Sequence, residues 1–100
     1  MQFPEVVFIM AHIGTQGWAE DAIAMAKRVS NLCVDTSSAI DYNVKKAVET
    51  IGSDRVLFGT DSPFSSAGLE LAKLTQYLGL DLSELRSILG ANARRIIGIK

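Results

Sequence analysis

Two residues of this sequence, His12 and Asp61, have side chains that can move protons, and each follows a short apolar run. An aspartate carboxylate can accept a proton from water, and a neutral imidazole can hydrogen-bond that water or stabilise charge at a reacting carbon. A structural role for Asp61 is the alternative, because Asp and Ser side chains in turns hydrogen-bond their own backbone, and Pro63 disfavours helix at the preceding residue. The elements that position both residues decide between these interpretations.

The chain is predicted to alternate strands and helices in one domain over residues 1–100. Continuous apolar runs are typical of strands buried on both faces, and they occur at 6–10, 31–36 and 55–59. Helical spacing of apolar residues and capping signals predict helices at 17–29, 41–52, 69–78 and 81–89, followed by a last helical turn through 96–97. We expect Asn92 to cap that last turn, and Asp54 and Arg55 to form an ion pair at the entry to the third strand.

Helical crossovers between consecutive strands predict a parallel sheet, and therefore an α/β fold. Ligands of such folds bind outside the carboxyl ends of the strands. His12 follows the first strand, Asp35 ends the second, and Asp61 follows the third. Because turn chemistry alone does not require polar residues at the same end of each strand, this pattern favours a site. For Asp35 we expect a structural role, bonding nearby backbone or shaping the pocket, and for Cys33 a buried position.

Charge and composition exclude several classes of partner. The formal net charge is −1, and the basic residues are scattered rather than clustered, which argues against a nucleic-acid partner. No apolar run approaches the length of about 18 residues that a membrane span requires, so no membrane partner is expected. The sequence has one cysteine, which excludes a disulfide within it and fits a reducing cytoplasm.

Four segments, in this order and spacing, resemble the amidohydrolase-2 family of metal-dependent hydrolases and decarboxylases. They are "FPEVVFIMAHIG" at 3–14, "NLCVDTS" at 31–37, "DRVLFGTDSPF" at 54–64 and "ILGANARRIIGI" at 88–99. The resemblance implies part of a TIM (β/α)8 barrel, with the three strands corresponding to barrel strands six to eight, the C-terminal part. It also implies a small-molecule substrate, a divalent metal such as zinc, His12 beside the metal-bound water, and Asp61 as a metal ligand that handles the water's proton.

The sequence departs from this family in its metal ligands. The family's metal is also held by a paired-histidine (or Glu and His) motif on strand one and usually by a histidine on strand five, whereas this sequence has a single histidine. A catalytic zinc ion needs three protein ligands, and Asp61 and His12 supply two at most. Metal binding by this chain alone is therefore predicted to be weak or absent, and whether it is an enzyme by itself stays open.

Three functions follow from the resemblance. The first is hydrolysis of a C–N or C–O bond, with a metal-activated water as nucleophile and with Asp61 and His12 at the site. The second is non-oxidative decarboxylation, which uses the same metal and histidine positions. The third is a catalytically silent fragment that only associates with itself.

A partial barrel also predicts a homo-oligomer. The first and third strands would each have a neighbour in a closed barrel, so both edges of this sheet are expected to be unpaired, and unpaired edges are templates for other strands. The segment 6–10 contains no Lys, Pro or inward-pointing charge that would block pairing. We expect a two-fold dimer that buries strand-edge or helix-face apolar surface.

Overall fold

The computed structural model describes residues 3–14 and 17–98; positions 1, 2, 15, 16, 99 and 100 of the predicted domain lie outside these ranges. Three strands form the sheet: β1 (Phe8–Met10), β2 (Leu32–Asp35) and β3 (Val56–Leu57). The helices are α1 (Ala19–Arg28), α2 (Asp41–Ile51), α3 (Ala67–Ala72), α4 (Leu82–Arg86) and α5 (Asn92–Ile97). Turns of 3₁₀ helix span Ala11–Gly14 and Ser53–Arg55, and π turns span Lys73–Tyr77 and Ser87–Ala91.

The sheet has the order β1-β2-β3, and both strand pairs are parallel. The predicted α/β class, with three parallel strands alternating with helices, is therefore confirmed. The strands are shorter than predicted. Before β1, the side-chain amide of Asn31 donates to the carbonyl oxygens of Phe3 and Val6, which removes them from strand pairing. After β3, the backbone N–H of Phe58 donates to the carbonyl oxygen of Ile88, in a helical segment.

The hydrophobic core lies between the sheet and the helices around it, and includes Leu74 and Ile88 of the two π turns. Val34 of β2 and Val56 of β3 are both 0% exposed, and they belong to one cluster with Val44 of α2. Helix α1 faces this cluster with its small residues Ala19, Ala22 and Ala26. Small side chains allow close packing of α1, so the parallel strands are held firmly and their carboxyl ends stay in register.

The helices after β3 use the predicted capping signals only in part. The predicted capping box is present, since Asp81 Oδ1 accepts the backbone N–H of Glu84 at 2.8 Å and Glu84 Oε1 accepts that of Asp81 at 3.0 Å. The predicted cap at Asn92 is wrong, because a π turn joins α4 to α5 and Asn92 lies inside a continuous helix. Its amide is 1% exposed and donates to the carbonyl oxygens of Ser53 and Val56 instead.

Arg55 also differs from the expected ion pair with Asp54. Its guanidinium donates from Nη1 to three backbone carbonyl oxygens, those of Ala26 at 2.8 Å, Val29 at 2.9 Å and Leu32 at 3.0 Å. These oxygens end α1 and begin β2, where backbone acceptors lack partners within their own element. Arg55 therefore joins the α1–β2 connection to β3. Within the described ranges, no helix is long and apolar enough to cross a membrane.

Candidate active site at the carboxyl end of the sheet

His12 lies in a left-handed turn directly after β1. His12 and Ile13 have φ values of 60° and 46°, a region that costs free energy for any residue with a Cβ, and most for a β-branched one. The side chain of Ile13 is 0% exposed, and the backbone N–H of His12 donates to Asp35 Oδ1 at 3.1 Å. The buried isoleucine and this hydrogen bond hold the turn, which leaves the His12 side chain 30% exposed.

Asp35 is the centre of the polar contacts that support this turn. Besides the His12 backbone, Asp35 Oδ1 accepts the Ser37 backbone N–H at 2.9 Å and the Ser37 hydroxyl at 2.6 Å. Its second oxygen lies so close to Gly59 that a Cβ built there would be 2.8 Å from Oδ2, a distance that real Cβ atoms essentially never show. Position 59 therefore requires glycine. These contacts agree with the structural, pocket-shaping role predicted for Asp35.

Ser37 fixes which nitrogen of a neutral His12 ring carries the proton. His12 Nδ1 lies 2.9 Å from the Ser37 carbonyl oxygen and 2.8 Å from the Ser37 hydroxyl oxygen. A carbonyl oxygen can only accept, and the hydroxyl hydrogen already goes to Asp35, so Nδ1 must be the donor. In the neutral ring, Nε2 then has the free lone pair. Ser37 is 3% exposed, which makes it a support for the imidazole rather than an accessible nucleophile.

Asp61 lies opposite this lone pair. Its Oδ2 is 4.0 Å from His12 Nε2, and the Asp61 side chain is 34% exposed. The backbone of Asp61 is left-handed, with a φ of 51°, and the hydroxyl of Ser38 donates to Oδ2 at 3.1 Å. A distance of 4.0 Å is too long for a direct hydrogen bond, but a water oxygen about 2.8 Å from each atom would bond both. The arrangement can therefore hold a water between a proton acceptor and an imidazole lone pair.

The side chains of Thr36, Trp18 and Cys33 take no part in the hydrogen bonds given above. Thr36 is 0% exposed, and its hydroxyl has no hydrogen-bond partner among the described residues. Trp18 lies elsewhere, beside a hollow that it lines with Met10 and Met25. Cys33 is buried as predicted, and burial, more than the opposing effect of Arg55, raises the pKa of its thiol. A protonated thiol is a poor metal ligand or nucleophile.

The donor set falls short of a complete metal centre. Within residues 3–14 and 17–98, no group of three or more His, Cys, Asp and Glu side chains is placed to hold a metal ion. His12 Nε2 and Asp61 Oδ2 are two donors of suitable chemistry, and a catalytic zinc ion keeps three protein ligands. The described part of the chain thus provides at most part of a metal site.

Three residues of this region were missed by the sequence prediction. Ser38 contacts Asp61, while Glu70 and Lys73 contact the backbone around Ser37 and Ser38 from 32 to 37 positions away in the sequence. In the sequence, a serine between two predicted elements and an i,i+3 charge pair on a helix are typical of ordinary surface positions. No sequence pattern indicates that Glu70 and Lys73 contact the loop beside the site.

Comparisons with solved structures show that the chain resembles part of several larger proteins. The chain aligns over 98% of its length with an uncharacterised TIM-barrel protein of Bordetella bronchiseptica, at 25% identity and a TM-score of 0.80, and covers 36% of that chain. A dihydroxybenzoic acid decarboxylase of Polaromonas with bound manganese aligns over 98% of this chain and 35% of its own, at 18% identity and a TM-score of 0.77. An amidohydrolase of Burkholderia multivorans with bound zinc aligns over 99% and 46%, at 17% identity and a TM-score of 0.78.

These alignments establish the fold. The chain spans about a third to a half of the length of the solved proteins it matches. None of the curated proteins matches it. The amidohydrolase family model matches residues 2–99, nearly the whole chain, and includes the turns that carry His12 and Asp61. The chain therefore belongs to the amidohydrolase family.

Proposed function

We propose that this chain provides the His12–Asp61 side of a hydrolase site that cleaves a C–N or C–O bond of a small molecule. The observation that carries the proposal is the distance of 4.0 Å between His12 Nε2 and Asp61 Oδ2, two side chains held on separate loops by strained backbone. Strain of this kind persists where the surrounding structure enforces it, and it is concentrated at functional sites.

The chemistry follows from the two free atoms. Asp61 Oδ2 takes a proton from a water held between the side chains, and the water oxygen attacks the carbonyl carbon of the substrate. The C–N or C–O bond then breaks, and the leaving group receives the proton from Asp61. His12 orients the water through its Nε2 lone pair, which is available because Nδ1 is tied to Ser37.

A divalent metal, zinc or manganese, is part of this proposal. Asp61 and His12 would be two of its ligands, with His12 Nε2 binding the ion instead of hydrogen-bonding the water, and the bound ion would lower the pKa of water towards neutrality. Both metals occur in the solved structures that this chain resembles. The remaining ligands would have to come from residues other than those described.

Activity measurements on matched variants test the hydrolase proposal. The chain is incubated with Zn²⁺ or Mn²⁺ and a panel of esters, lactones and amides, and release of the acid is followed. Asp61→Asn and His12→Ala should each lower the rate by about 100-fold or more, because a positioned proton-transfer group contributes that much. Asp41→Asn, which changes an exposed carboxylate at the start of α2, is the control and should keep the activity. Turnover that all three variants retain would refute the assignment of Asp61 and His12.

Decarboxylation is the second candidate, supported by the alignment with a dihydroxybenzoic acid decarboxylase. Isotopes distinguish the two reactions. Hydrolysis in H₂¹⁸O places the heavy oxygen in the acid product, whereas decarboxylation in D₂O places deuterium on the carbon that loses CO₂. Deuterium at carbon, without ¹⁸O in the product, would refute the hydrolase proposal and support decarboxylation. An absence of turnover with every substrate, with folding intact, would favour the catalytically silent, self-associating chain.

We also propose that the chain forms a two-fold homodimer through β1. The apolar side chains of this strand and of the residues before it are exposed: Val6 40%, Val7 44%, Phe8 39% and Ile9 51%. Among the described residues, the strand pairs only with β2, and its other edge would pair with a strand of the second copy. Light scattering behind a sizing column should give twice the 10.8 kDa of one chain. Ile9→Lys should shift the mass to that of the monomer, whereas a wild-type peak at one chain's mass would refute the dimer.

A further inference from the structure

Glu70 and Lys73 form a buried charge pair next to the candidate site. Lys73 Nζ lies 2.6 Å from Glu70 Oε2, and the two side chains are 11% and 3% exposed. Removing two charges from water costs free energy that their attraction often does not recover, so such a pair is weak evidence for a stabilising role. The contacts that the pair makes with its surroundings are more informative.

Both side chains of the pair also form hydrogen bonds with the loop between β2 and α2. The Lys73 ammonium group has three donors, and two of them go to the carbonyl oxygens of Thr36 at 2.8 Å and Ala39 at 2.7 Å. Glu70 Oε1 accepts the backbone N–H of Ser38 at 3.1 Å. The pair therefore holds both ends and the middle of segment 36–39, which we call the serine loop.

The same pair also reaches the loop that carries Asp61. Glu70 Oε1 accepts the hydroxyl of Ser65 at 2.9 Å, and the Ser65 backbone N–H donates to the Asp61 carbonyl oxygen at 3.0 Å. One carboxylate thus joins the serine loop to the loop after β3.

The serine loop makes the contacts that orient both site residues. Its Ser37 carbonyl accepts His12 Nδ1–H, and its Ser38 hydroxyl donates to Asp61 Oδ2. Ser38 has a φ of 55°, which is unfavourable for serine unless other contacts enforce it. The bonds from Glu70 and Lys73 are contacts of this kind.

We propose that Glu70 and Lys73 are positioning residues that fix the tautomer of His12 and the orientation of Asp61 through the serine loop. They touch neither the water position nor a reacting atom. Their importance for catalysis rests on the proposed function, but their effect on the imidazole can be measured without turnover.

Nuclear magnetic resonance of the imidazole tests the proposal directly, because His12 is the single histidine of the sequence and its signals need no assignment. Long-range ¹H–¹⁵N spectra are recorded at an alkaline pH above which the imidazole signals no longer change, so that the ring observed is neutral. The wild-type chain should show the Nδ1–H tautomer. In Glu70→Gln/Lys73→Met, the ratio of Nδ1–H to Nε2–H should fall by about fivefold or more, the factor that corresponds to one neutral hydrogen bond.

The double variant avoids leaving one charge buried alone, and it has a matched control. Glu20→Gln/Lys46→Met removes another Glu–Lys pair, 3.4 Å apart and more exposed, and should leave the tautomer ratio at the wild-type value. If the double variant does not fold, Lys73→Arg retains the charge but presents a planar fork in place of the ammonium group, so it should still lower the ratio.

A wild-type ratio in a folded Glu70→Gln/Lys73→Met or Lys73→Arg chain would overturn the proposal, even if the melting temperature falls. Equal loss of the ratio in the control pair would overturn it as well. Failure of the proposed function looks different: the tautomer would respond to Glu70 and Lys73 as expected, while substitutions of His12 and Asp61 would not change turnover.

Discussion

The two ends of the sheet use polar side chains in opposite ways. At the amino end, Arg55 and Asn92 donate to backbone carbonyl oxygens, and Asn92 is 1% exposed. At the carboxyl end, His12 and Asp61 have left-handed backbones, and their side chains are about one-third exposed. Arg55 and Asn92 complete the hydrogen bonding of the fold, whereas His12 Nε2 and Asp61 Oδ2 each keep a lone pair that other side chains leave available.

This comparison suggests a division between stability and chemistry. Arg55 and Asn92 donate to several backbone acceptors, among them the buried carbonyl oxygen of Val56, so they should matter for stability. His12 and Asp61 occupy strained positions and are only partly buried, so their removal should cost the fold little. Substitutions in the core, at each end of the sheet and at the metal donors can break or sharpen the comparison.

The largest effect is expected in the core between the two ends. Val56 is 0% exposed, so Val56→Asp would bury an unpaired carboxylate, which costs several kcal/mol, comparable to the whole stability of a small domain. We expect the chain to be unfolded at 25 °C, and Leu57→Asp to behave in the same way. Circular dichroism melts measure this, with Met25→Asp, at a residue 54% exposed, as a control that should fold. A cooperative melt of Val56→Asp at the wild-type temperature would contradict the assigned core.

The next effect is expected at the amino end. Asn92→Ala removes the donors to Ser53 and Val56 and should lower the free energy of unfolding by about 1–3 kcal/mol, since the buried Val56 carbonyl oxygen loses this partner while the Ser53 oxygen keeps the backbone N–H of Val56. Arg55→Met should act in the same direction because three carbonyl oxygens lose the guanidinium, although the Val29 oxygen keeps the backbone N–H of Leu32. Urea denaturation measures the change. Arg94→Met, on an exposed residue of α5, is the control, and equal losses in Arg94→Met and Asn92→Ala would remove the distinction.

The sequence predicted the strands and the positions of His12 and Asp61, but not the contacts that support them. The apolar runs at 6–10, 31–36 and 55–59 predicted the three strands, and the helical crossovers between them predicted their parallel direction. The expected burial of the first run on both faces is wrong, because Phe8 is 39% and Ile9 51% exposed at the edge of the sheet. Positions at the carboxyl ends of those strands then placed His12 and Asp61 at one edge of the sheet. The 4.0 Å separation of their side-chain atoms agrees with that expectation, while their roles stay predictions.

The contacts that support the site were beyond sequence reasoning. Lys73 reaches the carbonyl oxygen of Thr36 across 37 positions of sequence, and a lysine at helical spacing from a glutamate predicts a solvated pair. Arg55 was expected to pair with Asp54, but its guanidinium donates instead to backbone carbonyl oxygens at the end of α1 and the start of β2. Both errors have one cause: sequence patterns show side chains, whereas these partners are backbone atoms brought close by the fold.

A smaller effect on stability is expected at the carboxyl end. Asp61→Asn keeps the shape of the side chain, and asparagine tolerates the left-handed backbone that Asp61 adopts at a φ of 51°. This variant and His12→Ala should change the free energy of unfolding by less than about 1 kcal/mol, within the range of substitutions that do not alter the core. Thermal melts beside those of Asn92→Ala give the comparison. If Asp61→Asn is as damaging as Leu57→Asp, Asp61 is a structural residue.

The smallest effect is expected in zinc binding by the isolated chain. The described residues offer two donors, His12 Nε2 and Asp61 Oδ2, and water must fill the other positions around the ion, so binding by this chain should be weak. Calorimetric titration should give little heat and a dissociation constant well above micromolar. Asp61→Ala should abolish what binding there is, while Asp41→Ala should leave it unchanged. Tight, stoichiometric binding that depends on Asp61 would contradict this expectation and would mean that a second copy of the chain completes the ligand set, so the carboxyl end would then be an interface as well as a site.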